Sequence, residues 1–266
     1  MFLLWWRMDK SERPHIWHLY GWFTGLMFLS SGMGAVAWAH YLRFLVAFYA
    51  ALAAKDPVVI CDTFSAAQLG RSAFFVLYAV EFLCLSAANL MVLDRMAEFA
   101  LAKGSDAMLR RLVVGRRLVM AAVVACNVAG LCGNALAGVY FKESADLYSA
   151  AAIEYASNNS RVARSVRLQG RRKNEMASSS ASVQQFCEVA VLIIVIIAFA
   201  VVGIASARRV SSALRSAPDT VSAIGRQLRL RIVATTAFVF GTFLLRSVFS
   251  IMYSSPTLNK HTVYSY

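Results

Sequence analysis

The sequence predicts an all-α, polytopic transmembrane helix bundle with six crossings. Apolar residues make up 59% of the 266 and charged residues only 15%, with a mean hydropathy of +0.58. Soluble domains carry about a quarter charged residues. A water-facing protein this apolar could not cover its own surface, whereas a bundle in lipid needs apolar side chains inside and out. Windows of the roughly 20 apolar residues that a helix needs to cross a ~30 Å hydrocarbon core also recur along the chain.

The predicted crossings fall at about 15–31, 35–54, 72–93, 118–141, 187–207 and 232–252, within one domain over 15–253. The N-terminal segment 1–14 is expected at the membrane surface. Its MFLLWW start is apolar before any positive residue, and Arg7, Asp9, Lys10, Glu12 and Arg13 follow without the small-residue pattern of a cleaved signal peptide. From 15 to 54 the sequence is apolar apart from Arg43. As one helix that stretch would run about 60 Å, twice the hydrocarbon thickness. A bend or break is therefore expected. A reversal at Ser30-Ser31-Gly32-Met33-Gly34 yields two crossings and six in all, whereas one crossing followed by a surface segment near His40 and Arg43 yields five.

The next windows are cleaner. Segment 72–93 holds one charge, Glu81; segment 118–141 holds none; the VAVLIIVIIAFAVVGIA run from Val189 is the most apolar; and 232–252 carries only Arg246. Between them, 142–186 is expected to be a flexible outer loop, because its Ser/Arg-rich part with SSSAS at 178–182 looks too small and polar to pack. The tail 254–266 is short and polar.

Orientation follows the positive charge. Loops 94–117 and 208–231 are rich in arginine and are expected to be cytoplasmic, facing protein partners. That places 142–186 outside, where Asn158-Asn159-Ser160 forms a glycosylation sequon. The net charge of +13 is accounted for by topology and by binding of anionic lipid headgroups to the basic loops, not by nucleic acid.

Ionisable and amide groups inside a membrane are the natural functional candidates. Glu81 and Arg246 lie in the same half of the expected bilayer, so they can form an ion pair that fixes helix register. Alternatively they line a ligand or ion path with Asn89, Asn127 and Asn134. The asparagines also suit hydrogen bonds between helices, and the small-residue pairs Gly21/Gly25 and Ala129/Gly133 suit close helix approach within the bundle. Cys61 and Cys187 fall on the outer side, where a disulfide between them would tie two loops; Cys84, Cys126 and Cys132 are expected buried and reduced. His15, His18, His40 and His261 do not assemble into a metal set, and no cofactor or catalytic constellation is expected.

AFAVVGIASARRVSSALRSAP, a basic linker, and then RLRIVATTAFVFGTFLLRSVFSIMYS resemble the fifth and sixth crossings of the plant tobamovirus-multiplication protein family. Thr235, Thr236, Phe238, Phe240, Phe243, Leu245 and Arg246 carry that resemblance, and RSAFFVLYAVEFLCLSAANLMVLDRM resembles the family's third crossing more loosely. The resemblance implies a seven-pass-like layout, here without the last helix. It also implies a scaffold or receptor-like role with no enzymatic chemistry.

Overall fold

In the computed structural model, residues 13–101 and 106–214 are described, together with single helical positions between Leu230 and Val248. Four helices follow one another: α1 Arg13–Ala53, α2 Pro57–Leu101, α3 Asp106–Ala156 and α4 Ser160–Leu214. No strand occurs among the described residues. The helix boundaries have local causes. Pro57 opens α2, where its fixed φ suits a first turn and its missing N–H is no loss. Asp56 caps that turn by accepting from the Val58 N–H at 3.0 Å. Between α3 and α4 the chain turns at Asn158, whose φ of 60° is one that asparagine tolerates better than most residues.

The six-crossing expectation is corrected: among the described residues four helices are long and apolar enough to cross a membrane, spanning Gly21–Ala53, Pro57–Arg95, Val113–Ala156 and Ser160–Ala205, and the expected crossing at 232–252 lies largely outside those residues. The expected reversal at 30–34 does not occur, because those residues sit inside α1 and pack on α2. Ser30 Oγ donates to the Glu81 carbonyl at 3.2 Å. A Cβ at Gly34 would lie 2.9 Å from Glu81 Cδ, so this glycine marks a close helix contact, not a turn.

The flexible loop expected at 142–186 is also corrected. Apart from the turn at 157–159, it is helical. Its small residues recur at heptad spacing: Ala163 and Ala177 are fully buried, Gly170 is buried between them, and Ala181 and Gln184 continue the row. The matching row on α3 runs through Val123, Asn127, Asn134, Ala137, Phe141 and Ser144. Side chains this small give no hydropathy signal, yet they let two helices approach along a 3.5-residue repeat. The expected loop 94–117 shortens likewise, with α2 running to Leu101 and α3 starting at Asp106.

α2 is central. It packs on α1, α3 and α4; α3 and α4 pack on each other; and α1 is held chiefly by α2. The turns after α1 and α3 lie at one end and the α2-to-α3 connection at the other. Three core clusters stack along the axis. Towards the α2-to-α3 end, Phe82, Leu90, Val123, Val191 and Val195 pack together. In the middle, Phe74, Phe75, Phe141, Ala137 and Ala177 do so. At the other end Cys61, Tyr148, Ala151 and Ala152 form a small cluster. At 1.5 Å per residue, helices of 41 to 55 residues are about 60 to 80 Å long, so the bundle projects well beyond a bilayer.

The close approach of α3 and α4 is open to test. A Cβ at Gly133 would lie 3.0 Å from the Ser180 carbonyl oxygen, while one at Gly115 would meet nothing within 4 Å. Gly133→Leu is expected to lower unfolding free energy by about 1–3 kcal/mol in detergent. Gly115→Ala is expected to leave it unchanged or raise it by up to about 1 kcal/mol. Equal effects at the two sites in thermal or denaturant melts would contradict the packing.

Candidate functional site

The interior between the two larger core clusters is polar. α4 carries Glu188 on its buried row, 1% exposed, and α2 brings Tyr78 across to it. The Tyr78 hydroxyl lies 2.8 Å from both Glu188 carboxylate oxygens. A carboxyl group taken this far from water is costly without hydrogen bonds to its oxygens, so the phenol is a structural requirement at this place. The α3 to α4 register adds amides. Gly130 lies against Gln184 and Cys187, which puts Asn127, one turn away, level with Glu188. Asn134 is fully buried, Gln184 is 2% exposed, and neither Asn134 polar atom nor Gln184 Nε2 has a hydrogen-bond partner. Three helices thus send a phenol, a carboxyl group and three amides into a band about 10 Å deep.

A second polar centre lies one step towards the α3-to-α4 turn. The Arg71 guanidinium sits over the ring of Phe141 at 4.5 Å, with Phe44 at 5.3 Å and Phe75 at 6.0 Å. Aromatic faces from α1, α2 and α3 therefore hold one cation, at about 0.5–2 kcal/mol per contact. Around it, Ser72 Oγ donates to the Gly138 carbonyl at 2.7 Å and Ser144 Oγ to the Gly170 carbonyl at 2.8 Å, each joining two helices.

The residues singled out from sequence are divided by this architecture. Asn127 and Asn134 are in the polar band, Asn89 is half-buried further along α2, and Glu81 faces Gly34 of α1. Arg246 lies outside the described residues, as do the other resemblance-carrying positions except Leu245. The expected Cys61–Cys187 disulfide is corrected, because both thiols are free. Cys61 packs beside Tyr148 and Ala151 while Cys187 lies beside Gly130, about 30 Å apart along the axis. Asn158 is exposed at the turn. Of the small-residue pairs, Gly133 contacts α4, but Gly21 and Gly25 face open space.

Glu188, Tyr78, Gln184 and Arg71 were missed from sequence. Arg71 stands one residue outside the window that begins at Ser72, and Glu188, though inside the expected crossing 187–207, precedes its apolar run from Val189, so a hydropathy count singles out neither. The heptad row of buried positions on α4 was the signal that could have found Gln184 and Glu188. No family model, curated protein or solved structure matches this chain.

Two substitutions separate the roles of these groups. Tyr78→Phe removes the hydroxyl that faces Glu188 and is expected to cost about 1.5–3 kcal/mol of stability. Asn134→Leu replaces a buried amide that has no hydrogen-bond partner and is expected to be neutral or to stabilise by about 1 kcal/mol. Chemical unfolding in detergent reads both, and a double cycle of Tyr78→Phe with Glu188→Gln should show coupling.

Proposed function

We propose that this multi-pass membrane protein is a receptor-like or scaffold bundle that presents basic segments to protein partners, and that it is not an enzyme. The closed packing of its interior is the main support. At Gly133 and Gly138 neighbouring helices come within van der Waals reach of the glycine positions, and Ser72 Oγ donates to the Gly138 carbonyl across that contact. A groove along Ala35, Val36, Ala39, His40 and Arg43 lies on the outer side of α1, away from that interior.

The end where α2 meets α3 is the presenting end. Arg95, Arg117 and Arg208 are exposed there, and Arg116 pairs with Asp94 at 2.6 Å. Arginine-rich ends of short connections stay cytoplasmic, and each such residue attracts anionic lipid by about 1 kcal/mol near the surface. The α3-to-α4 turn then faces the opposite side with Asn158.

In a glycosylating host the wild type is expected to show an endoglycosidase-sensitive mobility shift that Asn158→Gln removes. A glycan accepted instead by a sequon engineered at 102–105 would invert the orientation. In proteoliposomes loaded with potassium or a panel of small solutes, no flux above empty vesicles is expected. A flux abolished by Glu81→Gln or Glu188→Gln in folded protein would replace the scaffold with a transporter.

A further inference from the structure

α1 has two opposite seams with the same spacing. Ser30, Ala37, Phe44 and Ala51 recur every seven residues and are buried against α2. On the other side, positions spaced by alternating steps of four and three run from Gly21 to Ala53, and every one of them is exposed. None carries a charge. The row includes Phe28, Gly32, Ala39, Leu42, Val46 and Tyr49. Gly21, Gly25 and Gly32 meet nothing within 4 Å, unlike Gly34, Gly130 and Gly133, which are used inside the bundle.

Lipid covers only part of this row. Phe48 stacks edge-on against Phe64, and Tyr41 against Phe74, so the 42–53 part of α1 lies beside the 57–71 part of α2. That level belongs to water, since Asp62, Lys142, Asp146, Arg161 and Arg164 are exposed there or nearer the turn. Yet Leu42, Val46 and Tyr49 are 61%, 72% and 64% exposed.

We infer that a second copy of this chain covers it, with the two α1 helices packed in parallel about a two-fold axis along the membrane normal. An uncharged 3.5-residue repeat is complementary to itself, which is what an isologous interface requires. Glycine lets the backbones meet within lipid, and Leu42, Val46 and Tyr49 interlock above it. A face about 50 Å long and 10 Å wide buries on the order of 1,000 Å² over both copies, the size at which stable interfaces begin.

Full-length protein in lipid nanodiscs and mild detergent tests this by light-scattering mass and by oxidative crosslinking. The wild type is expected to be a dimer, and Val46→Glu a monomer with unchanged helicity. Cysteines introduced at Leu42 or Val46 should crosslink chain to chain, and one at Ala47, off the row, should stay at the wild-type background. Wild type that is monomeric at all concentrations, crosslinking at Ala47 equal to that at Val46, or a disulfide formed within one chain between a cysteine at Val46 and a second one introduced in 232–252 would each overturn the proposal.

Discussion

The fold depends on helix contacts that keep a 3.5-residue repeat over unusual lengths. A straight α-helix drifts about 20° per heptad relative to such a repeat, so contacts sustained over several heptads force neighbouring helices to coil about each other. On α4 the buried row keeps this spacing from Ala163 to Val195, with Phe199 one residue out of step, and α3 keeps it from Val123 to Ala151. Small residues dominate one half of that interface and large aliphatic ones the other. The helices are therefore closest around Gly133 and Gly170 and further apart around Val191 and Val195.

Class and membrane character were legible because they rest on bulk apolar content, which sequence states directly. Helix count was not. The segment 15–54 was expected to break because a single helix overshoots the bilayer, but overshoot is no penalty when a neighbour of equal length lies alongside. α2 supplies that neighbour through Phe74 against Trp38 and Tyr41, and Phe64 against Phe48. Likewise SSSAS at 178–182 looked unable to pack because small polar side chains bury little area. What they permit is approach of backbones, a property of spacing that a hydropathy sum cannot register. Asn127 and Asn134 were found as candidates since amides stand out in an apolar window. Arg71 was lost for the opposite reason, as its charge closed the window that begins at Ser72, and Glu188, inside the expected crossing 187–207, was passed over beside the apolar run from Val189.

Burial of these polar groups is tolerated unequally. Glu188 faces a phenol, and Arg71 has three aromatic faces although its Nε has no hydrogen-bond partner, so both make contacts that also join helices. Asn134, without a hydrogen-bond partner, is not compensated in this way. Replacing one member of a satisfied pair leaves the other exposed to the full desolvation cost, whereas replacing an orphaned amide removes a cost. The polar band therefore divides into groups that specify the arrangement of α2, α3 and α4 and a group that stability alone does not explain.

α1 has one seam inside the bundle and an uncharged row outside it. Its inward row meets Glu81 and the Phe74 cluster of α2. Its outward row keeps the same period because a helix coiled around one neighbour carries both of its faces around with it. In hydrocarbon such a face is at equilibrium with lipid tails and exerts no pull on a partner beyond van der Waals packing. Above the hydrocarbon the same residues meet water, and there the hydrophobic effect drives association at about 25 cal/mol per Å² of apolar surface removed. The driving force for covering α1 is thus concentrated in the part from Leu42 to Ala53, outside the lipid, while the glycines below it set how closely the covering helix can lie.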